Sequence, residues 1–354
     1  GVVAVPIDYR SSEPFVARVE AITGAKRRWT AVEFARFEAA CGGDAPEAGF
    51  PEGLAEILFT SGATAEPKGV LISHRNLLAN LEAVEEEIGK YRGHWAVRWL
   101  GEPLLFPIRF LNLLPLSHLF GQTMAAFIPP MIEGHVYFAR SQNPGELSAL
   151  IRHERISVLV CVPKMMELLR DYVLRVCPEA AEPMTPGSRL SFLANWWKYR
   201  RVHRRLGWKF WAFVVGAAPL DPELEAFWRK LGYVVIQGYG LTETAPIVSL
   251  NHPFHPSHGT VGKPIAGVEI ELAGDGEILV RGENVTAGYY GGAGVISGDG
   301  WFHTGDIGER DADGAIRIRG RKKEMIVTPE GLACMAASGE GFGLTEAPKP
   351  GVDG

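Results

Sequence analysis

Ile156-Ser157-Val158-Leu159-Val160-Cys161-Val162 runs without a break into Pro163-Lys164-Met165-Met166-Glu167-Leu168-Leu169-Arg170-Asp171-Tyr172-Val173-Leu174. The first seven residues form a β-branched apolar run, the pattern of a strand buried on both faces. The rest has apolar residues at helical spacing. A doubly buried strand that feeds a helix is the repeating unit of an α/β sheet.

The same alternation extends in both directions. Residues 54–60 read as a strand entering a loop, 74–88 as a helix, 110–115 as a strand and 143–154 as a helix. Downstream, 211–215 and 234–237 read as strands around a helix at 221–231, which Asp221 caps with Pro222 in its first turn. The expectation is an α/β fold, mostly parallel sheets flanked by helices in two subdomains over about residues 1–250. From about Val261 the texture changes to short alternating runs at 268–272, 277–281 and 315–318, separated by Gly, Asp and Asn. That predicts a smaller antiparallel β subdomain over about 251–320. Residues 1–7 read as a buried strand with no lead-in, and 333–354, rich in Gly, Ala and Pro, as a disordered tail. Both ends are expected to be truncated.

Composition narrows the function classes. A chain of 354 residues with 46% hydrophobic and 22% charged residues can bury a large core. Its net charge of −5 gives no global attraction to nucleic acid or anionic membranes, so no nucleic-acid partner is expected. Cys41, Cys161, Cys177 and Cys334 are widely spaced with no C-x-x-C pair, which signals neither a zinc site nor a disulfide framework and suits the cytoplasm. The longest apolar runs are near half of a membrane span.

One loop stands out for its chemistry: Phe59-Thr60-Ser61-Gly62-Ala63-Thr64-Ala65-Glu66-Pro67-Lys68-Gly69. Backbone N–H groups with the hydroxyls of Thr60, Ser61 and Thr64 can wrap a polyphosphate around Gly62, while Lys68 supplies a point charge. It is not a P-loop: Pro67 precedes the lysine, and Gly69 stands where the metal-binding hydroxyl belongs. Clusters of Gly, Ser, Thr and Pro are mostly ordinary turns, so the loop alone leaves both readings open.

Five further motifs follow in order. They are Leu114-Pro115-Leu116-Ser117-His118-Leu119-Phe120-Gly121, Gly216-Ala217-Ala218-Pro219-Leu220, and Gln237-Gly238-Tyr239-Gly240-Leu241-Thr242-Glu243-Thr244. Gly300-Trp301-Phe302-His303-Thr304-Gly305-Asp306 and Gly320-Arg321-Lys322-Lys323-Glu324 complete the series. With the loop, this ordered set closely resembles the adenylate-forming superfamily of acyl-CoA synthetases, nonribosomal-peptide adenylation domains and luciferases, over nearly residues 1–331.

Each motif has a physical reading beside the one the resemblance implies. Gly216, Ala217 and Ala218 follow a strand, where open sheets bind ligands; the resemblance implies adenine binding there, and a tight strand-to-helix turn favours the same residues. In the next motif, with its flexible Gly238 and Gly240, Tyr239 can stack on a base and Thr242 can hydrogen-bond a phosphate oxygen. Glu243 can hold Mg²⁺. Asp306 can accept from both ribose hydroxyls and Arg321 can support that ribose, although either alone more often is a surface charge. The family has His or an aromatic residue at His118 bordering the acyl pocket; a lone His between leucines is otherwise commonly a core residue.

The resemblance thus implies an ATP-dependent ligase with Mg²⁺ and coenzyme A as co-substrate, in which Lys68, Thr242, Glu243 and His118 serve catalysis. The wording of 114–121 and the segment between 163 and 211 look most like bacterial long-chain fatty acyl-CoA synthetases. A fatty acid is the expected substrate, with an acyl carrier protein as the alternative acceptor and a non-catalytic nucleotide or acyl-adenylate binding protein as the alternative class. Residues 195–211 interleave five Trp and Tyr with six Lys and Arg. They suit either peripheral contact with the inner membrane face or a packed amphipathic helix with a solvated side.

Two departures weaken the expected phosphate site. Ala63 replaces a family hydroxyl, and Ala65 replaces a family glycine, which costs about 1 kcal/mol if φ is positive there. Residues 321–332 match the hinge before a small C-terminal lid, with Lys323 at the hinge position, and no lid-like strands or lid lysine follow. Slow adenylate formation is therefore expected of this polypeptide.

Overall fold

The computed structural model describes residues 3–8, 10–28, 30, 33, 53–60, 67–92, 107–181, 197–216, 218–252, 257–292, 294–327 and 333–335. The elements are, in order, α1 (Glu13–Thr23), β1 (Leu54–Thr60), β2 (Lys68–Ser73), α2 (His74–Arg92), β3 (Arg109–Asn112), α3 (Leu119–Gln122), a π-helical turn (Thr123–Phe127), α4 (Ile128–Met131), β4 (His135–Phe138), α5 (Pro144–His153), β5 (Val158–Cys161) and α6 (Pro163–Val176). They continue with α7 (Arg200–Leu206), β6 (Ala212–Val215), α8 (Pro222–Lys230), β7 (Val234–Gly240), β8 (Ile247–Leu250), β9 (Lys263–Pro264), β10 (Val268–Leu272), β11 (Glu277–Gly282), β12 (Phe302–Arg310), β13 (Ile316–Arg321), β14 (Met325–Val327) and β15 (Ala333–Met335).

A seven-stranded sheet in the order β4-β3-β5-β6-β7-β8-β9 organises the molecule. Its first five strands pair in parallel and β8 and β9 are antiparallel, so the α/β class holds with an antiparallel edge added. Strand β5 is buried at all four positions, as its unbroken apolar run requires. Alternate residues divide between two cores. Leu159, Cys161, Phe213, Val215 and Val235 face α5, α6, α7 and α8. Phe110, Val158, Val160 and Val214 face the opposite side with residues of α2 and α4. The helix caps behave as expected of their residues: Asp221 accepts from the Glu223 N–H at 2.9 Å, and Asn143 from the Gly145 N–H at 2.9 Å.

A separate antiparallel sheet, β10-β11-β12-β13, forms the predicted β subdomain around Ile278, Val280, Val285 and Ile316. Three sequence readings change. The glycine-rich loop does not pass straight into a helix: β2 follows it and pairs antiparallel with β1, so the loop joins a hairpin. Among the described residues 3–7 no buried strand forms: Val3 is exposed, and Ala4 makes an isolated parallel bridge to Glu56. Among the described residues of 195–211, Trp197 and Lys198 are helical, a turn at Tyr199 follows and α7 continues to Leu206; Tyr199 is buried in the core while Trp197 and Trp208 are exposed. Most of the segment read as a disordered tail lies outside the described residues, though 333–335 form β15 against β14. Among the described residues no helix is long and apolar enough to cross a membrane.

Candidate active site

Between the sheet and the layer formed by α2, α3, the π-helical turn and α4 lies a cavity of about 950 Å³. Parallel strands place every second residue on this face, so Phe110, Val158, Val214 and Ile236 line one wall. Val84, Ile88, Met124 and Ile128 line the other. Gly216, Gly238, Tyr239, Gly240 and Thr242 border it at the carboxyl ends of β6 and β7, and Trp211 and Ile108 at the strand starts. From Trp211 to Gly216 the strand covers roughly 16 Å at about 3.3 Å per residue. A largely apolar space therefore begins at the sheet edge where open α/β sheets hold ligands and runs inward along the strands.

The glycines at that edge are required by packing. A Cβ on Gly240 would lie 1.6 Å from the Pro246 carbonyl oxygen, and one on Gly216 would lie 2.7 Å from the Phe120 ring. At Gly216 the group that approaches the backbone is thus a ring of the chain itself. His118 lines the cavity and is exposed at the start of α3, so it is not a core histidine.

Two polar clusters sit beside this edge. In the first, Tyr289 donates its hydroxyl to Glu243 Oε1 at 2.8 Å, and Lys68 Nζ lies 5.5 Å from the centroid of the Tyr289 ring. Backbone bonds fix the arrangement: the Thr286 N–H donates to the Glu243 carbonyl at 2.8 Å, and the Tyr290 N–H to the Gly69 carbonyl at 2.7 Å. Burial, then the charge of Glu243, pushes the Tyr289 pKa upward, so the phenol keeps its proton and remains a donor.

In the second cluster, Tyr239 donates to Asp306 Oδ2 at 2.7 Å, and Arg321 Nε lies 2.9 Å from Asp306 Oδ1. Burial raises the Asp306 pKa above the usual carboxylate value, opposed by the Tyr239 hydrogen bond and the Arg321 charge. Each carboxylate oxygen retains a lone pair for a further donor. Arg321 is held at the end of β13 by its neighbour Lys322, which reaches both Asp275 Oδ2 and Glu277 Oε2 at 2.7 Å. Glu277 in turn accepts from the Gly305 N–H at 2.9 Å, which steadies the turn before Asp306.

The structure therefore brings together Lys68 with Glu243 around Tyr289, and Tyr239 with Asp306 and Arg321, while Thr242 and Gly238 line the cavity. Ala218 is exposed in the turn after β6. Thr60 ends β1 opposite Lys68. Ser61, Gly62, Thr64 and Ala217 lie outside the described residues. Sequence reasoning missed Tyr289, Glu277 and Lys322; the Gly288-Tyr289-Tyr290-Gly291 run was the available signal for the first.

The donor set fits a magnesium ion that arrives with phosphates. Mg²⁺ is commonly held by one or two carboxylates, with phosphate oxygens and water completing its shell. Glu243 supplies one carboxylate, and among the described residues no group of three or more His, Cys, Asp or Glu could cage an ion alone.

Comparison with known proteins gives a consistent result. The profile of the AMP-binding enzyme family matches residues 8–290. The long-chain-fatty-acid–CoA ligase FadD15 of Mycobacterium bovis is 31% identical over 304 residues, covering 78% of this chain and 48% of the relative. The long-chain-fatty-acid–CoA ligase of Salmonella typhimurium is 31% identical over 294 residues, covering 78% and 45%. The chain thus spans about half the length of the curated relatives it matches. Among solved structures, a Mycobacterium tuberculosis fatty acyl CoA synthetase shares the fold with a TM-score of 0.66 at 22% identity, covering 94% of this chain and 65% of that one. O-succinylbenzoate coenzyme A synthetase from Bacillus subtilis, in complex with ATP and magnesium ion, does so with a TM-score of 0.64 at 21% identity, covering 93% and 66%.

Proposed function

The chain belongs to the AMP-binding enzyme family, and from that premise we propose that it activates a long-chain fatty acid with ATP, forming an acyl adenylate that coenzyme A then opens to the thioester. The observation that carries this reading is the apolar cavity of about 950 Å³ joined to the polar edge at Tyr239 and Thr242. Ligand sites are concave, mostly apolar and oriented by a few polar groups at one end, and a fatty acid has that same division.

The chemistry follows from charge. A carboxylate resists thiol attack because its carbonyl is electron-rich and its leaving group would be oxide. Its oxygen instead attacks the α-phosphorus of ATP, the bond to the bridging oxygen breaks, and pyrophosphate leaves with that electron pair. Both reactants are anions, so catalysis consists of positioning and neutralisation. Lys68 supplies positive charge beside the phosphates, Thr242 donates to a phosphate oxygen, and Asp306 with Arg321 holds the ribose while Tyr239 faces the base. His118, on the cavity wall, borders the reacting carboxylate. Glu243 would hold a magnesium ion that arrives with the phosphates, and that ion would add charge neutralisation. In the second step the thiol sulfur attacks the acyl carbon, AMP departs with the bonding electrons, and the thiol proton passes to solvent.

Single-turnover reactions with labelled ATP, a panel of fatty acids and either coenzyme A or a carrier protein test this reading. Acyl adenylate is expected to form slowly from long-chain acids, with release of AMP on adding coenzyme A. Release only with carrier protein would reassign the acceptor, and nucleotide binding without adenylate from any acid would make this a binding protein.

The reading includes peripheral contact with an anionic membrane, on the cytoplasmic inner face. Trp197 and Trp208 are 65% and 47% exposed, beside exposed Arg200, Arg201, Arg204 and Arg205. No acidic residue occurs from 197 to 209, in a chain whose net charge is −5. Indole rings suit the headgroup level, and each basic residue near an anionic surface adds about 1 kcal/mol. Liposome pelleting should weaken when the four arginines become glutamine, and unchanged binding would remove membrane contact from the reading.

A further inference from the structure

Lys68 and Glu243 carry opposite charges on adjoining segments, and one side chain separates them. Tyr289 meets Glu243 through its hydroxyl at 2.8 Å and Lys68 through its ring, 5.5 Å from Nζ to the centroid. We propose that Tyr289 is a positioning residue that keeps this lysine and this carboxylate from neutralising each other. Lys68 thereby stays available to phosphate, and Glu243 to the metal that phosphate brings. The proposal rests on the nucleotide-binding reading of the same site.

Three observations support it. First, the ring cannot drift, because its backbone is tied to both partners. Val70 bridges Tyr289, the Leu71 N–H donates to the Gly288 carbonyl at 3.1 Å, and the Thr286 N–H donates to the Glu243 carbonyl at 2.8 Å. Second, the ring is packed against the buried cluster of Leu58, Val70 and Ile72, so it offers Lys68 a rigid face. A cation above an aromatic face is attracted by the ring quadrupole without losing its charge, whereas a carboxylate would bind it outright. Third, the phenol donates to Oε1 at 2.8 Å and so orients the carboxylate, as a hydrogen-bonded ligand must be. A lysine on its long flexible stem would otherwise reach the carboxylate readily.

Two variants separate positioning from packing. Tyr289→Phe keeps the ring and removes the hydroxyl; Tyr289→Ala removes both. Affinity for a nonhydrolysable ATP analogue would be measured by calorimetry with Mg²⁺ and again with EDTA, and Mn²⁺ binding in the presence of the analogue followed by electron paramagnetic resonance. For Tyr289→Phe, metal-free nucleotide affinity should be unchanged, while metal-dependent tightening and Mn²⁺ affinity fall about tenfold, the scale of one hydrogen bond to a charged group. For Tyr289→Ala, metal-free affinity should fall as well, because Lys68 turns to Glu243. Adding Glu243→Gln to that variant should then restore metal-free affinity. Equal losses with and without metal in Tyr289→Phe, no loss in either, or no rescue by Glu243→Gln would overturn the proposal. Failure of the unaltered chain to bind the analogue would instead refute the nucleotide reading itself.

Discussion

His203 shows how much one buried side chain can govern. Its ring is 1% exposed, its Nε2–H donates to the Leu231 carbonyl at 2.9 Å, and the Tyr233 ring lies 4.8 Å away. Burial pushes its pKa down to about 4, against the contrary pull of the Leu231 hydrogen bond. The unfolded chain titrates near the ordinary value of 6.5, so between 6.5 and about 4 the unfolded state binds more protons. Stability is therefore full above that window and falls as pH drops through it, by about 3 kcal/mol in all. Urea midpoints of His203→Phe should lose this slope between pH 6.5 and 4, whatever the variant costs at neutral pH; an unchanged slope would place the effect elsewhere. At this scale the sequence was legible wherever chemistry clustered along the chain. Tyr239, Thr242 and Glu243 could be read together because they are neighbours, and the structure puts Tyr239 and Thr242 on the cavity wall. Tyr289 could not, because a tyrosine between glycines reads as a turn. Its partner lies far back along the chain and only the fold brings them together.

Among the elements, those that bury both faces announced themselves. The runs at β5 and β6 are apolar without alternation, which only a strand covered on both sides tolerates in water. The helices α5 and α8 carry an Asn or Asp cap followed by Pro, and their amino-terminal ends lie at those residues. Strand β2 was hidden because its first residues, Lys68 and Gly69, belong by composition to the preceding loop. Its pairing with β1 is set by tertiary contact with Leu58, Val70 and Ile72 in one buried cluster. Strand β12 was equally obscured, since Thr304-Gly305-Asp306-Ile307-Gly308 contains residues disfavoured in strands. It is held by β11 on one side and β13 on the other, and the latter pairing sets Asp306 opposite Arg321. The basic aromatic segment packs as an amphipathic helix with a solvated side. Tyr199, Val202, His203 and Leu206 pack inward while the arginines of α7 stay in solvent, the arrangement expected of an amphipathic helix.

Across the whole molecule, the sheet, the β subdomain and the hairpin β1–β2 converge on one edge, and the cavity opens there. The order of the motifs pointed to the family; the depth of the cavity was not legible, because its lining is drawn from strands of the sheet and from the helical layer opposite, which lie far apart along the chain. We propose that this edge encloses a nucleotide and that the cavity behind it takes an acyl chain. The direct measurement is calorimetric titration of the folded chain, first with magnesium-ATP and then with a nonhydrolysable long-chain acyl-AMP mimic. Saturable heat is expected from both, with the mimic binding more tightly and displacing the nucleotide. Absence of heat from either ligand on a well-folded sample would contradict it.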